Sequence, residues 1–341
     1  MTTFSKAFLP LIALIFFSQL AFATVHRVNN TGADADFTTA QAAHDAALAG
    51  DTLYIESSTI SYGALSISKE IHVIGSGYFL GQNTDLQANI APSSIDNLTL
   101  NSGCNNSSIQ GLTIITVVCG ASSTFGDVVI ERNNITSGIY LSTSQDITSL
   151  YILRNYVTGT NATLQLLRTL GTGLKTIVFS NNIAIYSSTS TRITLDQNTT
   201  ATFKNNILDV YTLSSTFCIY KNNIINIASG SMDESNNTVE YNTCIGTDCS
   251  SNNNNTNNAV LNNLFVGIPT QGAFSSDSRY ALTPSSAAAG AGEAGIDCGA
   301  FDGEAIYKLS GIPPIPSIYK LIAPSIVTGN FNITISTRSN N

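Results

Sequence analysis

Four basic side chains stand at one recurring place in this sequence. Seven short apolar stretches, VVIERNNI, LYILRNYV, IVFSNNI, ATFKNNI, FCIYKNNI, VEYNTC and AVLNNL, each run into asparagine. Taking Asn133, Asn155, Asn181, Asn205, Asn222, Asn242 and Asn262 as equivalent, the preceding residues are Arg132, Arg154, Ser180, Lys204, Lys221, Tyr241 and Leu261. If the stretches stack, Arg132, Arg154, Lys204 and Lys221 line one edge. They form either an ordinary solvated row beside a turn or a basic stripe that meets the carboxylates or sulfates of an acidic glycan. Tyr140, Tyr151, Tyr156, Tyr186, Tyr211 and Tyr220 add rings on which sugars could stack.

Other chemistry is less marked. No Asp-Asp pair occurs, and Asp127, Asp146, Asp196 and Asp209 share no position relative to the asparagines. Carboxylates from different repeats could still meet at the ~5 to 9.5 Å that glycoside hydrolysis uses. All three histidines, His26, His44 and His72, precede the repeats and read as structural. Six cysteines permit up to three disulfides. Cys104 with Cys119 and Cys244 with Cys249 are nearest in sequence, but Cys218, Cys244 and Cys298 fall where other repeats carry apolar residues, which equally fits buried thiols. No CxxC spacing is present, so neither zinc nor any other cofactor is expected.

The elements that would position these residues follow from the spacing. Steps between the asparagines are 22, 26, 24, 17, 20 and 20 residues, a period that signals a solenoid. Each unit holds one or two strand lengths of apolar residues and no helical spacing, so it closes a core only by stacking on its neighbours. The residues three before the asparagines (Ile130, Ile152, Val178, Thr202, Ile219, Val239 and Ala259) are expected to point inward. So are those two after (Ile135, Val157, Ile183, Ile207, Ile224, Cys244 and Leu264). The asparagines themselves would sit at a corner, each amide bonding to the next. At ~4.8 Å per turn, about eleven turns give a rod roughly 50 Å long.

Ahead of the repeats, Met1 to Ala23 reads as a secretory signal, with Lys6, an apolar run and a small-residue cleavage site. The apolar run is shorter than a membrane span, so no span is expected in the mature chain. Residues 24–50 form a cap, with Thr38 or Thr39 starting a short helix that carries Ala42, Ala43, Ala46 and Ala47 and ends at Gly50. Residues 229–258, with the NNNNTNN run, are the least strand-like and are expected to bulge as a loop, leaving Asn252 to Asn255 exposed. The solenoid is placed at 51–303. Residues 304–341 are then an extended tail whose Phe331, Ile333 and Ile335 alternate with polar residues, as in a strand docked on the solenoid as a cover.

The asparagine-ended repeats, the DFTTAQAAHDAALAGDTLYIESS entrance and the closing SRYALTPSSAAAGAG…GIDCGAF resemble the right-handed parallel β-helix proteins of the pectin-lyase-like superfamily. The resemblance implies an all-β fold, a right-handed parallel β-helix, with a short N-terminal helix over its first coil and a C-terminal extended tail. It also points to polysaccharide as the partner. Its hydrolases need paired aspartates and a histidine, and its lyases need calcium-binding aspartates and a base. Neither set stands out here.

Charge narrows the classes further. The chain has 36 charged residues in 341, a net charge of −8 and no tryptophan. That excludes a general nucleic-acid binder, whose affinity rests on clustered Lys and Arg. Nothing in the sequence specifies an oligomeric state. The sequence favours a secreted or cell-surface protein that binds polysaccharide without catalysis. The alternatives are a lyase or hydrolase and a structural or ice-binding solenoid, although repeats of 17 to 26 residues are uneven for ice.

Overall fold

A computed structural model describes residues 23–32, 34–159, 165–185, 189, 192–323 and 332–340. All but the last residue of the expected signal, and Tyr186 and Phe331, lie outside the described residues. Among those described, no helix is long and apolar enough to cross a membrane.

Two long parallel sheets dominate. Ten strands from Val25–Val28 to Thr238–Glu240 form the first, in chain order, with every pairing parallel. The second has thirteen strands and forks at Asn134–Ser142. The start of that strand pairs with Tyr156–Thr158 and its end with Leu167–Leu170. One branch continues to Thr256–Ala259 and the other to Thr212–Ser214. Successive strands of one sheet come from successive repeats, an architecture that fits a parallel β-helix. At the start, Thr39 Oγ1 accepts from the Ala42 N–H and caps a helix over Ala40–Ala46, which packs against the strands that open both sheets.

Side chains at inward positions stack coil on coil. Ile130, Ile152, Phe179, Phe203, Tyr220 and Val239 are register partners and all are buried. Phe203 and Tyr220 stack with ring centroids 4.7 Å apart. On the second sheet the inward partners are Ile135, Val157, Ala184, Leu208, Ile225 and Cys244, each 0% exposed. The expected inward columns are thus one residue out at Asn181-Asn182, Asn205-Asn206 and Asn222-Asn223, though not at Asn133-Asn134. Val178 and Thr202 are only partly buried, and Ile219 is 42% exposed, because they face outward on the first sheet. Ile183, Ile207 and Ile224 are buried, but on the outer face, under a second core that the sequence reading did not foresee.

That second core comes from the chain's end. The parallel sheets finish at Ala259, and residues 261–316 run back along the stack. Phe265, Tyr280, Cys298, Ala300 and Tyr307 pack over Tyr156, Ile183, Ile207 and Ile224. Polar anchors fix the path: Asn181 donates to Ala300 O and Asp302 O, Asn222 Oδ1 accepts from Glu293 N–H, and Tyr78 bonds to Tyr307. The tail strand does not perform this task. Thr334–Arg338 pairs antiparallel with Ser317–Ile322 in a separate two-stranded sheet, and Ile333 and Ile335 are about half exposed. The cover is instead 261–316, whose apolar residues lack the period-2 alternation that marks a strand.

Among the cysteines, Cys244 and Cys249 form a disulfide, while Cys104, Cys119, Cys218 and Cys298 are free thiols. Both readings of the cysteines therefore occur in one chain.

Candidate functional site

The asparagine corner is the first place to look. A continuous buried ladder runs through Asn133, Asn155, Asn182, Asn206, Asn223, Asn242 and Asn255. From Asn155 on, each side-chain oxygen accepts from the backbone N–H and the amide of the asparagine before it, and Asn133 Oδ1 accepts from Leu112 N–H. Asn181, Asn205 and Asn222 stand one residue ahead of it. They hold left-handed backbone, φ 54°, 55° and 58°, at the turn where Arg132, Arg154 and Tyr241 do the same. Asn262 lies in the short helix Leu261–Leu264, and Asn255, expected to be exposed, is the last rung.

The physical reason is a division of labour at the corner. One residue must turn the chain with φ > 0, which asparagine tolerates, and the next must face inward to stack. In the pairs Asn181-Asn182, Asn205-Asn206 and Asn222-Asn223 the first turns and the second stacks, whereas Arg132 turns ahead of Asn133-Asn134 and the first asparagine stacks. The aromatic side chains could have revealed this: aligning the second asparagine puts Phe179, Phe203 and Tyr220 in one column with Ile130, Ile152 and Val239.

The same register breaks the basic stripe. Arg132 and Arg154 occupy the turn column, whereas Lys204 and Lys221 sit one position earlier, in the column of Glu131, Leu153, Ser180 and Glu240. Each basic group is also engaged. Arg132 is 5% exposed and donates from Nη1 to Ile312 O at 2.7 Å, and burial, with Arg154 nearby, pulls its pKa down. Arg154 pairs with Glu131, and Lys204 approaches Glu304 at 3.8 Å. Lys221 contacts Glu293 at 2.6 Å and Glu240 at 3.1 Å, and its hydrogen bond to Glu293 raises its pKa. These side chains fasten the cover and neighbouring coils, so they do not form an open track.

The acids and histidines are likewise dispersed. Asp146 accepts from Leu174 N–H, Asp196 holds the fully buried Lys175, and Asp209 accepts from the Asn226 amide. Burial raises Asp209 to about 6 despite that amide. His26 meets Asp51 at 3.0 Å, His44 Nε2 accepts from Ser68 N–H, and His72 bonds to Ser108.

A different grouping stands on the outer face of the second sheet's shorter branch. Tyr140, on Asn134–Ser142, is the register partner of Arg168, on Leu167–Leu170, and the guanidinium carbon lies 5.4 Å from the ring centroid. Arg168 is opposite Thr194 on the next strand, Arg192–Thr194, and Arg192 stands 5.3 Å over the ring of Tyr211. Val118, Tyr140, Arg168, Thr194 and Ser214 form one outward column, with Arg192 opposite Thr212 beside it. Alternation places them there, because Ile139, Leu167 and Ile193 between them are fully buried. Tyr140, Arg168, Arg192 and Tyr211 are all half-buried. In a chain of net charge −8, these two columns contain two arginines and no carboxylate. Each stack sets a cation beside an aromatic platform, and Arg192 Nε also donates to Thr189 O at 2.9 Å.

Sequence reasoning named Tyr140 and Tyr211 but missed both arginines, because the shorter branch has no asparagine to mark its register. Of the other tyrosines, Tyr156 and Tyr220 are buried and Tyr151 lies on the first sheet. This chain matches no family model, and neither a curated protein nor a solved structure is detectably similar to it.

Proposed function

We propose that this chain is a secreted or cell-surface right-handed parallel β-helix of the pectin-lyase-like kind that binds acidic polysaccharide without cleaving it. The observation that carries the reading is the pair of arginine–tyrosine stacks, Arg168 on Tyr140 and Arg192 on Tyr211, whose two arginines stand on consecutive strands of one outward face. Strands spaced ~4.8 Å apart present these groups at regular intervals along the stack. A chain of anionic sugars lying along that direction meets guanidinium and ring repeatedly. Non-catalytic binding is the simpler reading because the carboxylates on which hydrolysis depends are each held by a different local partner.

The test is a screen of purified protein against polygalacturonate, alginate and heparin, with dextran as the neutral control, at low and raised salt. New unsaturated or reducing ends are followed in parallel. Binding to at least one acidic chain, weakening with salt and leaving the polymer intact, is expected. Polymer cleavage would move the reading to a lyase or hydrolase, and dextran binding equal to the acidic chains would remove the charge argument.

A further inference from the structure

Asp51 gathers the start of the solenoid onto one carboxylate. It stands just before the strand Thr52–Ile55 and is 4% exposed. Its Oδ1 accepts from the Thr24 N–H at 2.8 Å, and its Oδ2 accepts from the Leu48 N–H at 2.8 Å. His26 Nε2 lies 3.0 Å from Oδ2 and is the one ion-pair partner of Asp51 among the described residues. Burial pushes this carboxyl up, but the Thr24 N–H, His26 and the Leu48 N–H together hold it below its ordinary value. Thr24 is fixed from its other side too, since its carbonyl accepts from Thr52 N–H at 2.8 Å. The backbone nitrogen that precedes the edge strand Val25–Val28 is thus aimed at a buried anion, which also holds the turn after the helix Ala40–Ala46.

That nitrogen is the one that cleavage after Ala23 would release. Ala23 and Thr24 are both exposed, so the bond between them is open to a peptidase. We infer that removal of the leader creates a structural ion pair, in which the new α-ammonium of Thr24 meets Asp51 and locks the first coil of the solenoid. The inference rests on reading the chain as secreted and uses no property of the arginine–tyrosine face. The step is a hydrolysis: water adds to the Ala23 carbonyl carbon, the C–N bond breaks, the leader leaves as a carboxylate, and the amine takes up a proton. Before cleavage Thr24 offers Asp51 one neutral N–H. Afterwards it offers three hydrogens and a positive charge, and a charge-assisted hydrogen bond is about twice as strong as a neutral one. Cleavage after Ala21 would leave this nitrogen an amide, so the position of the cut decides whether the pair forms. Chain ends fray unless they are tied down, and this end is also the open edge of the first sheet.

The test uses the chain exported from a secreting host, beside the same chain released from a removable fusion so that Thr24 comes first. N-terminal sequencing of the exported chain should begin at Thr24. With a free terminus the protein should melt about 2 to 4 °C above its N-acetylated form, and Asp51→Asn should erase that difference. Acylation of the Thr24 amine at neutral pH, followed by mass spectrometry, should be about tenfold slower in the folded protein than in the urea-unfolded one. This last comparison needs no variant, so it decides the matter if Asp51→Asn fails to fold. Equal melting of the free and acetylated forms, or acylation as fast folded as unfolded, overturns the ion pair. An exported chain that begins at another residue overturns the processing step. A chain that is not exported at all overturns the secreted reading and the processing step with it, while the fusion-released protein still reports on the pair itself.

Discussion

The side-chain oxygen of Asn182 accepts two hydrogen bonds from Asn155, one from its backbone N–H at 2.8 Å and one from its amide at 3.1 Å. The Asn155 amide also donates to Ile130 O, so one side chain ties three coils together. Each such bond nets only about 0.5 to 1.5 kcal/mol, whereas a buried polar group without a partner costs about 1 to 3. The ladder therefore penalises a misaligned coil more than it drives collapse. It sets the register on which every outward column depends, including the one that carries Tyr140 and Arg168.

Adjacent asparagines should respond differently to substitution. Asn206→Ala removes the acceptor of Asn182 and the donor to Phe179 O and Asn223, and should lower stability by about 1 to 3 kcal/mol. Asn206→Gly should cost at least as much. At Asn205, where φ is 55°, alanine should cost about 1 kcal/mol through the left-handed backbone, while glycine should be nearly neutral. Denaturant midpoints of the four variants check this, and an Asn205→Gly as damaging as Asn206→Gly would contradict the assigned register.

Burial raises the pKa of Asp209 from 3.8 to about 6. The folded chain thus holds this proton more tightly than the unfolded chain, so ionisation opposes folding. The penalty is absent below about pH 4, grows as pH rises from there to about 6, and is complete above. Asp209→Asn keeps an acceptor for Asn226 and removes the charge. Its stability should exceed that of the unaltered protein by roughly 2 to 3 kcal/mol at neutral pH, and the gap should close toward pH 4. A gap independent of pH would show that Asp209 ionises as freely folded as unfolded.

A chain ending at Ala259 should leave Tyr156, Ile183, Ile207 and Ile224 without their cover. Those aliphatic side chains contribute about 1.5 to 3 kcal/mol each when buried, and an exposed apolar strip invites association. Light scattering should show the truncated chain self-associating. A monomer that melts at the unaltered temperature would mean the cover is dispensable.

The repeat, the parallel stack and the helix start at Thr39 were legible because they rest on local signals: an asparagine every twenty or so residues, strand-length apolar runs, a capping hydroxyl. Register at the Asn-Asn pairs was ambiguous by one residue, and in a strand that residue reverses every side chain. Hence Lys204 and Lys221 were grouped with Arg132 and Arg154, although they occupy a different column. The cover was hidden for another reason. Ile183, Ile207 and Ile224 are apolar on a face that a bare solenoid would expose, and what buries them lies in a distant later segment of the sequence with no pattern of its own. The arginine–tyrosine face also depends on long-range pairing: Arg168 meets Tyr140 only because the second sheet forks at Asn134–Ser142.

The most direct test of the account is acidic-polysaccharide binding by Arg168→Gln/Arg192→Gln beside Arg132→Gln/Arg154→Gln, each with its melting temperature. The first pair should weaken binding about tenfold or more and flatten its salt dependence while melting almost unchanged, because both side chains are half-buried on an outer face. The second pair should melt earlier, since Arg132 secures the cover through Ile312 and Arg154 pairs with Glu131, yet bind normally below its melting point. Loss of binding in the second pair with none in the first would contradict the account and return the site to the asparagine corner.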